Sequence, residues 1–362
     1  SSSLLFSSSS NIAVRACFAS VASKDVSVKS ADFRGGRSSV SGLVATVFGA
    51  TGFLGRYVVG RLARHGSQVV APYRGTEYDA RHLKVMGDIG QVVLSPYHLK
   101  DDASIREAVR RSHVVINLIG RDYDTKNFKL EECFEEGSAR IARICQEENI
   151  TNFVQVSSVG ASASAESRIL KSQAAAEAAV RSQIPSASIL RLSPLIGPED
   201  RYFQAIARWL KLLKSYPVVE GSTQVSPLWV KDAAAAVVDV AVGTDKEVLP
   251  LTMSLTGPET ASKEEWIRVV SEAIGVETSC VPIPGFVAKA AGSMTDRFML
   301  WPTFTAETVK MYSADATAAS ANCPEYPWEA RHIPRTAINS KEALHSLAHF
   351  VAANSFLGLQ TK

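Results

Sequence analysis

Three things are missing from this 362-residue chain, and each absence removes a class of function. No apolar run is long enough to cross a bilayer, because the longest candidate, Ala233–Val242, spans only ten residues and is broken by Asp239. The five cysteines (Cys17, Cys133, Cys145, Cys280, Cys323) form no C-x-x-C and have no histidine at ligand spacing, so neither a zinc site nor a disulfide framework is expected. Excess charge is also absent from the body of the chain. The net charge of +3 lies wholly in the first forty residues, where Arg15, Lys24, Lys29, Arg34 and Arg37 stand against Asp25 and Asp32. The remainder balances 34 basic with 34 acidic residues, which argues against a nucleic-acid-binding stripe.

Residues 1–41 carry 14 serines, 13 of them in the first forty, with several arginines and few acids, the composition of an organellar targeting segment or of its mature remnant. Mitochondrion and plastid both fit, and the arm reads equally as a flexible leader or as a segment held by a partner.

What is present begins at Ser41. Leu43–Phe48 is a short β-branched apolar run that ends at Gly49, as a buried parallel strand does. Strand-like segments follow at 69–73, 91–94, 114–119, 153–156 and 188–192. Helical patterns separate them at 53–65, 102–111, 127–148 and 166–183. This alternation predicts an α/β fold, a doubly wound parallel sheet of the Rossmann type over 42–195. Beyond Pro194 prolines punctuate the chain, and helices are expected at 202–214, 231–242 and 262–275. Residues 196–362 are read as a smaller C-terminal lobe and tail, interleaved with the sheet. Within it, 284–294 and 297–304 are read as apolar surface segments that pack on their own lobe or meet a partner or membrane.

Gly49-Ala-Thr51-Gly52-Phe53-Leu54-Gly55 sits between the first strand and first helix. Its glycines allow a tight turn, a close approach of backbone to a pyrophosphate, and close helix–strand packing, while the helix N-terminus offers amide donors to phosphate. About twenty residues on, where an NAD site places an acid against the ribose hydroxyls, the chain has Tyr73-Arg74-Gly75. A guanidinium there suits a 2′-phosphate, so NADPH is the expected cofactor, with Arg56 a weaker second grip. Asn117, Leu118, Ile119 and Gly120 after the fourth strand are expected to flank the ribose and nicotinamide, with Asn117 equally readable as a turn residue. Val156, Ser157 and Ser158 after the fifth strand share that placement, and Pro194 and Ile196 are expected to close the nicotinamide end.

An active short-chain reductase needs a tyrosine acid with a lysine four residues later, so that the ammonium lowers the phenol's pKa from one helical turn away. No tyrosine of this chain is followed by lysine at that spacing. In the helix that should carry the pair, the best register puts Ile169 and Gln173 at the two positions. Ser158 and Lys171 are the only local substitutes. No catalytic residue is therefore assigned.

The residues at this point resemble the nucleotide-binding accessory subunit family of mitochondrial respiratory complex I, the 39 kDa or alpha-subcomplex 9 type. The resemblance runs through Arg34–Gly42, Val47–Tyr57, Gly87–Val93, Val114–Arg121 and Val156–Ala161, and later through Ile196–Asp200 and Val225–Asp232. It implies an atypical short-chain dehydrogenase fold without catalysis, a tightly held structural NADPH, and a support role in assembly. It also implies other complex I subunits as partners, contact with lipid at the membrane interface and a peripheral matrix-side place on the inner membrane. Family members often keep lysine where Gln173 stands, so this chain departs from the pattern at the ribose contact. Two alternatives stay open: an active NADP-dependent reductase or epimerase using Ser158 and Lys171, and a plastid RNA-binding member of the same fold, which the neutral body opposes.

Overall fold

The computed structural model describes residues 41–350 apart from 126, 214, 244–248, 299–304 and 339. The N-terminal arm, save its last residue, and most of the 297–304 segment lie outside the described residues.

Seven parallel strands form one sheet in the order β11-β6-β5-β4-β1-β2-β3. Their ranges are β1 Val44–Phe48, β2 Gln68–Tyr73, β3 Val92–Pro96, β4 Val114–Asn117, β5 Phe153–Ser158, β6 Ser188–Leu192 and β11 Thr252–Leu255. Helices α1 (Phe53–Arg64), α2 (Asp102–Val109), α3 (Gly137–Glu147) and α4 (Arg168–Gln183) make the crossovers. Every residue of β1 is buried, as are all four of β4, which is why these strands read as unbroken apolar runs and not as alternation. The doubly wound expectation therefore holds. The strand order reverses between β1 and β4, and a sheet of this kind opens a crevice at that switch point, outside the carboxyl ends of the strands.

β11 had no counterpart in the sequence reading. It comes from the C-terminal half and extends the sheet by pairing with β6, Met253 opposite Leu190. The helix expected over 127–148 starts late and passes through a π-turn, Glu132–Glu136, before α3. A π-bulge of this sort shifts the helical register locally.

The rest of the chain adds β7 (Leu195–Ile196), α5 (Phe203–Leu213), β8 (Ser215–Val218), β9 (Gln224–Val225), β10 (Leu228–Trp229) and α6 (Val230–Val242). After β11 come β12 (Ala261–Ser262), α7 (Lys263–Ile274), β13 (Ser279–Pro282), α8 (Gly285–Phe298) and α9 (Ala306–Tyr312). α7 opens with a complete capping box, Ser262 with Glu265. α6 is almost wholly buried and packs with α1 on one face of the sheet, which accounts for its alanine and valine content. A second core, including Phe203, Leu210, Trp229, Trp266 and Ile267, fills the C-terminal lobe.

Candidate functional site

The glycine loop and the segment after β4 meet at the switch point. Leu118 donates its amide to the Phe48 carbonyl at 3.0 Å, and Gly52 donates to Gly49 at 3.0 Å. Gly49 adopts φ +77°, and a Cβ there would lie 2.8 Å from the Leu118 carbonyl oxygen. A side chain at Gly55 would run into the Gly49 carbonyl and come within 2.8 Å of Ala50 Cα. Both glycines are thus demanded by the protein's own backbone. Gly52 is different. It has an ordinary φ of −72°, lies exposed, and a Cβ there would meet only the Gly49 oxygen, at 3.1 Å. The space over Gly52 is open on the crevice side, beside the exposed Thr51, and it is a cradle that a side chain would fill.

Above that cradle stands the N-terminus of α1. No side chain caps it and its first turn holds no acid. The amides of Phe53, Leu54 and Gly55 therefore keep the unsatisfied donors and positive dipole end that bind anions. Leu54 and Gly55 are buried and offer backbone only. Phe53 stands edge-on to Tyr57, and its ring lies against Gly197. Arg56 pairs with Glu199 at 3.6 Å, and Tyr57 donates to the same carboxylate at 2.7 Å. Burial and the neighbouring Glu199 push the Tyr57 phenol up, so it keeps its proton. The Ile196–Asp200 motif thus ties down the first turns of α1, and buried Asp200 holds its own loop by accepting from the Gly197 amide at 3.1 Å.

Arg74 follows β2, exposed, and makes no ion pair among the described residues. Its guanidinium carbon lies 5.8 Å from the centre of the Phe128 ring, and Lys100 Nζ lies 4.9 Å from the same centre. Lys100 also pairs with Glu132 at 3.2 Å. Two cations on one aromatic ring, with no acid at the end of β2, make this corner suited to a phosphate. Phe128 and Lys100 escaped the sequence reading because they stand more than twenty residues from Arg74 and carry no motif of their own.

At the other end, Asn117 is fully buried. It donates to Ser138 Oγ and Gln155 Oε1 at 3.0 and 2.9 Å and accepts from the Ile119 amide at 3.2 Å. The turn reading fits this side chain, since every polar atom is used inside the fold to shape Leu118–Gly120 over the crevice. Gly120 is exposed and rests above the Phe134 ring. Ile196 is also turned inward, into the C-terminal lobe core. Val156 is half-buried against the main core, while Ser158 and Pro194 line a small cavity. Three polar atoms on the elements framing the crevice are buried without a hydrogen-bond partner: Arg56 Nε, Ser157 Oγ and Gln173 Oε1. Buried polar atoms are rarely left so, and a ligand or water normally completes them.

The cavity beside Ser158 and Pro194 has about 30 Å³ of accessible space and is lined also by Leu170, Tyr202, Met311 and Tyr312. That is room for a water or two, against the several hundred Å³ of a usual small-molecule pocket. The rings of Tyr202 and Tyr312 stack 5.2 Å apart. Burial pushes both phenols up, and nearby Tyr216 is raised to about 12 for the same reason. A tyrosine acid needs the opposite shift. Ile169 is buried in a small core with Leu130 and Phe134, and Lys171 lies on the exposed side of α4, away from the cavity that holds Ser158.

Residues 45–248 match the model of the NAD dependent epimerase/dehydratase family. The chain resembles the Arabidopsis thaliana NADH dehydrogenase [ubiquinone] 1 alpha subcomplex subunit 9, mitochondrial, with 40% identity over 82% of this chain and 74% of that one. Identity is 45% to the Mus musculus protein of the same name, over 62% and 59%, and 39% to the Neurospora crassa NADH-ubiquinone oxidoreductase 40 kDa subunit, mitochondrial, over 76% and 72%. Its fold matches that of an Escherichia coli NADPH-dependent quinone oxidoreductase with a TM-score of 0.66 at 15% identity, over 84% of this chain and 99% of that one. A Staphylococcus aureus nucleoside-diphosphate-sugar epimerase gives 0.63 at 13%, over 83% and 100%. Taken with the glycine cradle and the seven-stranded sheet, these likenesses place the chain in the NAD dependent epimerase/dehydratase family and, within it, in the alpha subcomplex subunit 9 family of mitochondrial NADH dehydrogenase.

Proposed function

We propose that the protein is a non-catalytic accessory subunit of mitochondrial NADH:ubiquinone oxidoreductase that keeps NADPH as part of its structure. It sits peripherally on the matrix side of the inner membrane, with other subunits of the complex and interfacial lipid as partners and no nucleic acid. The observation that carries the reading is an open nucleotide cradle in a fold whose space beside Ser158 and Pro194 is too narrow for a substrate. At Gly52 a Cβ would press on one atom of the protein, the Gly49 carbonyl oxygen at 3.1 Å, and otherwise fill the cradle, whereas the cavity beyond Ser158 and Pro194 has room only for water.

The residues fit the nucleotide. Amides of Phe53, Leu54 and Gly55 at the α1 N-terminus would hold the pyrophosphate, with Gly49, Thr51 and Gly52 shaping the loop around it. Arg74 would grip the 2′-phosphate, with Arg56 behind the loop. Leu118, Ile119 and Gly120, seated by Asn117, would flank the ribose. Val156, Ser157 and Ser158 would border the nicotinamide side, with Pro194 at its end and Ile196 supporting that turn from the core. Bound NADPH supplies a hydride donor in active relatives of this fold. Among the described residues no ammonium lines the cavity that holds the phenols, and Ile169 has no proton to give.

Affinity and turnover together test this reading. Arg74→Glu is expected to weaken NADPH at least tenfold, since one charge-assisted contact contributes about 1.5–3 kcal/mol and its reversal adds repulsion. NADH affinity, measured by the same titration, should change much less. Neither protein should oxidise NADPH steadily with ketones or nucleotide sugars. Steady oxidation by the unmodified protein would overturn the non-catalytic reading, and equal loss of NADH would remove Arg74 from the phosphate.

A further inference from the structure

A second hollow lies beside the Ile196–Asp200 loop, and none of the residues that line it is assigned to the nucleotide. Its volume of about 490 Å³ is that of a small-molecule site. One wall is the entry to α6, with Trp229 just before the helix, Lys231 in its first turn and Pro198 beside them. No side chain caps α6, and its one first-turn acid, Asp232, is buried and accepts from the Thr336 amide at 2.6 Å. That bond, with one from the Ile338 amide to Glu259 at 3.2 Å, leads the C-terminal segment across the lobe. The segment then forms α10 (Lys341–His345) and a short 3₁₀ turn, Ala348–Phe350. Ala343 and Leu347, four residues apart, are buried in the lobe core. Glu342, His345, Ser346 and His349 fall at i, i+3, i+4 and i+7, so they share another face, and that face is the second wall of the hollow.

We propose that this hollow binds a small soluble phosphate compound, at a site separate from the nucleotide cradle. Lys231, His345 and His349 bring N–H donors from both walls and Ser346 brings a hydroxyl, against a single carboxylate, Glu342. A further donor is buried in the first wall. Trp229 is 2% exposed and its indole nitrogen has no hydrogen-bond partner, a condition in which buried donors are rarely left. The Lys231 ammonium stands 5.8 Å from the centre of the same indole, so the cation and the unpartnered donor meet at the helix entry. Two histidines and a glutamate on one helical face have the composition of a metal site. Among the described residues, however, no such group is disposed to hold a metal ion, which leaves the donors to an anion. A phosphate accepts from several directions at once, and the uncapped start of α6 adds the positive end of its dipole. A carboxylate has fewer oxygens and would leave part of this donor set unused.

The test is calorimetric titration of the full chain with pyrophosphate in the presence of excess NADPH, with malonate titrated in parallel as the carboxylate probe. Pyrophosphate is expected to bind at one site per chain, and malonate much more weakly. Lys231→Gln should weaken pyrophosphate about tenfold, and adding His349→Gln should bring the loss to about a hundredfold, each change removing one charge-assisted contact. Glu342→Gln should tighten it several-fold, because the one acid of the hollow repels the ligand. A purely structural role for these side chains would not produce that gain. All three are exposed, so an unchanged melting curve verifies the fold of each variant, and NADPH affinity should be the same in all of them. The proposal is overturned if pyrophosphate does not bind, if it binds the double variant as tightly as the unmodified protein, or if malonate binds equally well.

Discussion

Gly55→Ala should yield little folded protein, while Gly52→Val should fold and lose its nucleotide. The two glycines belong to one motif, yet they answer to different neighbours. A methyl at Gly55 is driven into the Gly49 carbonyl and Ala50 Cα, backbone atoms that cannot yield without displacing α1 from β1. Overpacking of that kind costs about 1–3 kcal/mol where side chains absorb it and more where backbone must move. At Gly52 a side chain meets one oxygen at 3.1 Å and otherwise points into the crevice. The valine variant should therefore melt like the nucleotide-free unmodified protein and below the loaded one. The gap is about 2.7 kcal/mol when free nucleotide is a hundredfold above Kd. Thermal melts with and without NADPH decide it. If Gly52→Val still gains stability from NADPH, the cradle is only a turn.

Arg191→Leu is expected to be the most damaging substitution outside the crevice. Arg191 on β6 meets Glu177 on α4 through two hydrogen bonds of 3.0 and 2.7 Å, and its other arm donates to the Ala321 carbonyl at 2.7 Å. Both partners are largely buried, with side chains 17% and 9% exposed. Removing the guanidinium leaves a buried carboxylate without its cation, which costs about 3–5 kcal/mol. For a domain of this size that lowers Tm by on the order of 10 °C. Arg191→Leu with Glu177→Leu should recover most of the loss, because two apolar groups strand no charge. A double variant as unstable as the single one would show that the contact to Ala321, which fastens the C-terminal segment, is what Arg191 is kept for.

The parts of the fold that were legible in the sequence are those where a local signal and the tertiary environment agree. β1, the glycine loop and α1 could be read because burial on both faces writes an unbroken apolar strand, and because close backbone approach admits only glycine at Gly49 and Gly55. The helix expected at 262–275 forms over Lys263–Ile274, where Ser262 and Glu265 cap each other, a sequence-local event. β11 was not. Thr252–Leu255 is four residues long with threonine its only β-branched member, and its place is set by pairing with β6 more than sixty residues earlier.

The crevice divides the same way. Arg74 could be found because its position is counted from the glycine motif, whereas Lys100 and Phe128 come to it only through folding. The narrow cavity had no sequence signal at all, since Tyr202 comes from just before α5 and Met311 and Tyr312 from the end of α9, and neither segment has a fixed spacing from Ser158. The missing Tyr–Lys pair could be read from the chain alone. That only a narrow cavity lies beside Ser158 needed coordinates.

The central claim is a structural NADPH in a subunit of the respiratory complex, and one measurement addresses it most directly. The NADH:ubiquinone oxidoreductase is isolated from mitochondrial membranes under native conditions, the chain is quantified in it, and the released nucleotide is identified before and after turnover with NADH. The account predicts about one NADP(H) per copy of the chain, in the same redox state and amount at both times. A complex lacking the chain, a chain carrying no NADP(H), or a bound nucleotide that is oxidised and reduced in step with turnover would contradict it.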